Sequence, residues 1–234
     1  MVRKSSAGSS CRSDSPSAAI PRGRSPSASW HSSSRGGTAP MPQIAALLPA
    51  AGRSERMGQC KLLLPLPDRP VIVRCLETVL AAGIAEVVVV LAPPHGTAIH
   101  EVVARFPITV AWNCQPDSDM AASLRVGLEH LTGDVTGVLV FLPDTPLVHP
   151  ATCRMLMDAH SAEPGRILVP VHAGRRGHPV LVPRGIIDQL RNYPTLRDLM
   201  QMHQDRITLC PTGDAGILHD LDTPADYLQA KTLC

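Results

Sequence analysis

Lys61, Arg56 and Asp144 are the side chains whose types and settings best suit phosphate chemistry in this chain. Arg56 and Lys61 belong to the stretch 48–66, L-P-A-A-G-R-S-E-R-M-G-Q-C-K-L-L-L-P-L. An apolar run over 44–48 leads into Ala50-Ala51-Gly52, and a basic loop of small residues follows through Arg53, Ser54, Arg56 and Gly58. Small residues let backbone amides come close to an anion, and successive amides in a tight turn form an anion-binding concavity. With the full charges of Arg56 and Lys61 added, the loop suits a nucleoside triphosphate. It contains neither G-x-G-x-x-G nor G-x-x-x-x-G-K-[ST], so it supports neither a dinucleotide fold nor a Walker loop.

Asp144 lies in Pro143-Asp144-Thr145-Pro146, directly after an apolar run over 138–142. Ligands of open α/β sheets bind beyond the carboxyl ends of the strands. A carboxylate there can hold Mg²⁺, a hard cation that shares its oxygen ligands with substrate phosphates; a simple turn is the structural alternative. Asn113, after a third apolar run, offers a donor and an acceptor for a base edge or a ribose. Cys60 sits beside Lys61, which favours its thiolate.

The 48–66 string resembles the signature L-x-A-G-x-S-x-R-M-G-x-x-K-x-L-L of the molybdenum cofactor nucleotidyltransferase family, within the GT-A-like nucleotidyltransferases. The resemblance covers residues 43–231, with four motifs in the family's order. Asp144 and Pro146 match its Asp-x-Pro element. Asp220-Leu221-Asp222-Thr223-Pro224 is similar to its Asp-x-Asp-Thr-Pro string, which implies that Asp222, in preference to Asp220, joins Asp144 around Mg²⁺. The alternative for Asp222 is capping the last helix. Met120–Gly127 resembles G-M-x-x-S-x-x-x-G, implying contact of Ser123 with base or phosphate, or else close helix packing at Ser123 and Gly127. Asp119 departs from the family's glycine. Residues 174–180 resemble G-x-x-G-H-P-V of the second-substrate pocket, where Arg175 and Arg176 would meet a phosphate and His178 would touch ligand or orient the loop.

The implied activity is transfer of a nucleoside monophosphate from an NTP to a phosphorylated acceptor, with release of pyrophosphate. Arg56, Lys61 and Asp144 would be catalytic. Ala50, Ala51, Gly52, Arg53, Ser54, Lys61, Asn113, Ser123 and His178 would bind the substrates, and Asp144 with Asp222 would hold Mg²⁺. Ala50-Ala51-Gly52 is similar to the A-A-G of the cytidylyl branch, which favours CTP over GTP, molybdopterin as acceptor, and hand-over to a molybdenum hydroxylase or its chaperone. The rivals are a sugar-phosphate or other phospho-alcohol nucleotidyltransferase, and a non-catalytic cofactor-binding maturation factor.

These residues need a scaffold, and the chain alternates β-rich runs with helical patterns. Strands are expected at 44–48, 87–91, 108–111, 138–142, 167–171, 179–182 and 207–210. Helices are expected at 71–82, 97–105, 120–131 (capped by Ser118 or Asp119), 151–160, 186–190, 196–203 and from 224 to about 231 with Thr223 as cap. Residues 173–178 read as a loop. The fold class is a single-domain three-layer α/β/α sandwich with a mostly parallel, Rossmann-like sheet of the GT-A type.

Of the 234 residues, 1–40 hold thirteen Ser, six Lys/Arg and one acid, leaving a net −3 on the remainder of a chain whose formal charge is +2. That balance suggests no nucleic-acid or membrane partner. Residues 1–42 read as a disordered Ser/Arg/Pro-rich leader, a transit peptide or sequence upstream of a start at Met41, and 43–234 as the nucleotidyltransferase domain. Seven dispersed cysteines without a C-x-x-C pair fit reduced thiols in a cytoplasmic enzyme.

Overall fold

A computed structural model describes residues 43–115 and 119–233. The leader expected over 1–42, and Ser118 as a helix cap, lie outside the described residues. The sheet has eight strands: β1 Gln43–Ala50, β2 Glu86–Leu91, β3 Thr109–Trp112, β4 Val135–Val140, β5 Ile167–His172, β6 Arg175–Arg176, β7 Val180–Pro183 and β8 Ile207–Pro211. Their order is β3-β2-β1-β4-β7-β5-β6, with β8 on the other edge of β5. β1 to β4 run parallel, and β7 pairs antiparallel to both β4 and β5.

Alternation along the strands builds two cores, because successive side chains of a strand point to opposite faces. Ala46, Leu48, Val87, Val89 and Leu139 face α1 (Val71–Ala81), α2 (Gly96–Val103), α4 (Pro150–Ala162) and α7 (Pro224–Leu233). Ala45, Leu47, Val88, Val90 and Val138 face α3 (Met120–Leu128), α5 (Arg184–Ile187) and α6 (Leu196–Met202). The continuous apolar runs of β1 and β2 follow from this burial on both sides.

The expected elements form, with shifts at their ends. Helix 120–131 stops at Leu128, and 186–190 divides into the short α5 and a 3₁₀ turn over Asp188–Asn192. The expected loop 173–178 is instead a hairpin. Ala173 (φ 48) and Gly174 (φ 77) form its tip, and β6 pairs back on β5. Both tip residues take positive φ, as the favoured two-residue hairpin turn requires.

The chain leaves β1 toward β2 and β3, then returns to place β4 on β1's other side. The loops after β1 and β4 therefore diverge at one point of the sheet, where such folds open a crevice. Gly127 lets α3 lie close over that point: a Cβ there would stand 2.2 Å from Leu47 Cδ1 and 2.9 Å from Val90 Cγ2. This settles Gly127 as a packing residue.

Two predictions follow from the packing. Gly127→Ala should lose roughly 1–2 kcal/mol in urea denaturation, because overpacking against two buried side chains outweighs the gain in helix propensity. His160 lies fully buried on α4 with Nδ1 unpartnered, and burial lowers its pKa. The unfolded chain takes up a proton near pH ~6.5 while the folded one resists, so this histidine lowers stability as pH falls below about 6.5 and leaves it level above. The melting temperature of His160→Gln should depend less on pH between 5 and 7 than that of the parent.

Candidate functional site

The loop after β1 closes on itself before it reaches Lys61. Ser54 takes a left-handed conformation (φ 55), and a 3₁₀ turn spans Glu55–Met57. Gly58 (φ 65) ends that turn with its N–H on the Glu55 carbonyl. The Ser54 hydroxyl then accepts from the Lys61 amide at 3.2 Å. A second 3₁₀ turn, Lys61–Leu63, buries Leu62 in the core. The Lys61 backbone is thus held by an apolar anchor on one side and a hydroxyl on the other.

Asp144 is pinned from three directions. The Phe141 amide donates to Leu47 of β1, the buried Cys75 thiol of α1 donates to the Pro143 carbonyl at 3.2 Å, and the Leu221 amide donates to the Asp144 carbonyl at 3.0 Å. That last bond brings the 220–224 segment, far away in sequence, against the loop after β4.

The charged groups meet there. Lys61 Nζ donates to Asp144 Oδ2 at 2.6 Å and to Asp222 Oδ1 at 3.1 Å. Arg56 Nη1 donates to Asp222 Oδ2 at 2.9 Å. The Lys61 and Asp144 side chains are only 15% and 18% exposed, whereas Arg56 is 72% exposed. The first pair is therefore far less screened by water than the second. Burial alone would lower the Lys61 pKa, but Asp144 and then Asp222 outweigh it and hold the ammonium above its ordinary value.

Asp222 does not cap the last helix. Thr223 does so: its hydroxyl accepts from the Asp226 amide at 3.3 Å, while Asp226 Oδ2 accepts from the Thr223 amide at 2.7 Å. That arrangement leaves the Asp222 carboxylate to Lys61 and Arg56. Asp119 caps α3, accepting from the Ala122 amide at 2.7 Å, which accounts for an acid where the resemblance led to glycine.

Two cavities meet at Lys61. One, of about 230 Å³, is lined by Ala51, Gly52, Ser54, Asp119, Ser123 and Asp144 among others. The other, of about 350 Å³, runs along Arg53, Ser54, Arg56 and Asp222. Ala50 lines neither, since its methyl group belongs to the core. Asn113 also takes a place different from the expected one. It is 1% exposed, its amide donates to Ser123 Oγ at 3.1 Å, and its Oδ1 accepts from the Gln115 amide at 3.2 Å. It therefore supports Ser123 from behind the cleft. Cys60 is half-buried and burial raises its pKa, so the expected thiolate gives way to a thiol.

His178 and Arg176 line a third cavity of about 860 Å³, while Arg175 stays outside it. Burial lowers the His178 pKa, with Asp144 opposing, so the ring is held neutral with Nδ1 unpartnered. Met120 lines both the first and the third cavities, so the two adjoin. Sequence reasoning missed Ser54 as the loop's latch and the wall that α6 gives the third cavity. The T-x-x-D capping box at Thr195 was the available signal for α6.

Among the described residues no group of three or more His, Cys, Asp or Glu could hold a metal. Mg²⁺ asks less than that, because it takes one or two carboxylates and completes its shell with phosphate and water. Asp144 Oδ1 is buried without a partner, and Asp222 lies across the same ammonium. This donor set fits Mg²⁺.

Residues 46–208 match the MobA-like NTP transferase domain. The chain belongs to that family. The chain is 26% identical over 196 residues to the molybdenum cofactor cytidylyltransferase of Escherichia coli K12, covering 82% of this chain and 97% of the relative. It is 32% identical over 201 residues to the 2-C-methyl-D-erythritol 4-phosphate cytidylyltransferase of Frankia casuarinae (78% and 72%). It is 31% identical over 166 residues to the nicotine blue oxidoreductase of Paenarthrobacter nicotinovorans (64% and 76%). A solved structure of Rv0371c from Mycobacterium tuberculosis in complex with manganese superposes with a TM-score of 0.69 at 29% identity, covering 82% of this chain and all of the other. The fold is thus of the GT-A-like nucleotidyltransferase type.

Separate roles for two neighbours give a direct test. Thr223→Ala should lose about 1 kcal/mol of stability with its cap. Asp222→Asn should leave the melting temperature within a degree or two, because Arg56 is largely exposed and Lys61 keeps its shorter bond to Asp144.

Proposed function

We propose that this MobA-like NTP transferase joins CMP from CTP to a molybdopterin-type phosphate, with Mg²⁺, and releases pyrophosphate. The observation that carries the reading is the Lys61 ammonium held between Asp144 and Asp222 where two cavities meet. A triphosphate laid along both cavities would place its β- and γ-phosphates by Arg56 and the 52–57 loop, and its α-phosphate by Lys61. An acceptor phosphate oxygen attacks the α-phosphorus, the bond to the β-phosphate oxygen breaks, and pyrophosphate leaves with the electron pair. Such transfers need positioning and charge neutralisation more than covalent help.

Lys61 stays charged because its pKa is raised, so it can stabilise negative charge on the α-phosphate throughout the neutral range. The unpartnered Asp144 Oδ1 and the Asp222 carboxylate would hold Mg²⁺, which supplies further neutralisation of the phosphate oxygens. Ser123 lines the cleft, with Asn113 fixing its hydroxyl. CTP is favoured over GTP by Ala50-Ala51-Gly52 and by the cytidylyl transfer named for both the E. coli and the Frankia relatives. The manganese named for the M. tuberculosis structure favours use of a divalent cation. The product would then pass to a molybdenum hydroxylase or its chaperone. Among the described residues no helix is long and apolar enough to cross a membrane.

The test is pyrophosphate release from CTP, GTP, ATP and UTP with Mg²⁺, using molybdopterin or methylerythritol phosphate as acceptor. CTP with molybdopterin should turn over fastest, and CTP with Mg²⁺ should raise the melting temperature most. Lys61→Ala and Asp144→Ala should each lower kcat by about 10²–10³ while remaining folded. Full activity in either folded variant overturns the assignment, and product only with methylerythritol phosphate transfers it to the polyol phosphate.

A further inference from the structure

The charge cluster at Lys61 is closed on itself. Asp144 and Asp222 carry four carboxylate oxygens, and three of them accept from cations of the chain. Asp144 Oδ2 and Asp222 Oδ1 accept from Lys61 Nζ at 2.6 and 3.1 Å, and Asp222 Oδ2 accepts from Arg56 Nη1 at 2.9 Å. The fourth, Asp144 Oδ1, is buried and without a partner among the described residues. Two positive and two negative charges sum to zero, so these four groups exert little pull on a further cation. The ammonium also bridges the same two carboxylates to which the proposed function gives Mg²⁺. A dication entering alone meets that ammonium at close range, where like charges repel and water screens little.

The ammonium is nonetheless free to leave. The Lys61 backbone is fixed, by its amide on Ser54 Oγ at 3.2 Å and by the burial of Leu62 beside it. The charge itself sits at the end of a four-carbon stem, whose rotamers change without moving that backbone. Both cavities reach Lys61, so there is open space on either side of its present place.

We propose that Lys61 is an internal counter-ion, which excludes a divalent metal from Asp144 and Asp222 until a triphosphate draws the ammonium away. The inference rests on the transferase reading for the identity of the triphosphate, and on the ion cluster for the exclusion. Phosphate oxygens entering the cleft offer the ammonium new acceptors. As it turns to them, Asp144 Oδ2 and Asp222 Oδ1 are freed. Nucleotide and metal then raise each other's affinity by the same factor, as linkage requires. Loss of the charge at position 61 therefore has two opposite effects. It removes a phosphate ligand, and it removes the competitor of the metal. A lysine that only braced the two loops would not raise metal affinity on its removal.

The test titrates Mn²⁺ into the full chain without nucleotide and reads the free ion by electron paramagnetic resonance. Lys61→Met keeps the stem and drops the charge, and it should bind one Mn²⁺ about 10-fold or more tighter than the parent. Lys61→Arg should bind it no tighter than the parent. Adding Asp144→Asn to Lys61→Met should abolish the gain, which places the ion at this site. In the parent, CTP should raise Mn²⁺ affinity about 10-fold or more beyond what CTP alone takes up. The proposal is overturned if folded Lys61→Met holds Mn²⁺ no tighter than the parent, or if the gain survives Asp144→Asn. Should Lys61→Met not fold, the parent decides: Mn²⁺ affinity unchanged by CTP overturns the proposal. Pyrophosphate release by the parent, measured in parallel, separates the two readings. A gain in Lys61→Met with no release from any NTP sinks the transferase reading and leaves the counter-ion standing; release without the gain sinks only the counter-ion.

Discussion

One ammonium group, shared at 2.6 and 3.1 Å between two carboxylates, ties together three segments that are far apart along the chain. Two carboxylates at the mouth of a cleft repel each other and draw in a cation. Here Lys61 supplies that charge from within the protein, and its raised pKa keeps it available. Under the proposed function this balance would suit a nucleoside triphosphate and a divalent cation taken up as a pair, phosphate adding negative charge for Lys61 and Arg56 and the metal positive charge for Asp144 and Asp222.

The scaffold makes this meeting unavoidable. β1 is flanked by β2 on one side and β4 on the other, so the loops after β1 and β4 open away from each other over a shared crevice. The Leu221 amide then docks on the Asp144 carbonyl and presents Asp222 to the same crevice. Because Thr223 and Asp226 satisfy the helix start, Asp222 is left for the charge cluster. Structural and chemical duties fall on adjacent residues, which is why the segment reads ambiguously in one dimension.

The parallel half of the fold is legible because its strands are buried on both faces and its helices carry one apolar stripe. The second half is less so. The hairpin tip at Ala173 and Gly174 depends on positive φ at both residues, and alanine gives no sign of that. Asn113 carries the right groups for a base edge, but position beside Ser123 consumes them. Cys60 has a basic neighbour, yet burial controls its thiol. In each case local chemistry suggests one outcome and the neighbours brought by folding decide another.

By itself the sequence determined the fold class, the basic loop of small residues after β1 and the identity of the charged residues, since periodicity, small residues and charge are properties of the chain. The tertiary structure decided which carboxylates belong to Lys61, which one serves a helix, and that α6 lines a cavity adjoining the one at Lys61. Those outcomes depend on distances across the fold, and distances between residues 61, 144 and 222 are set by strand order and not by spacing along the chain.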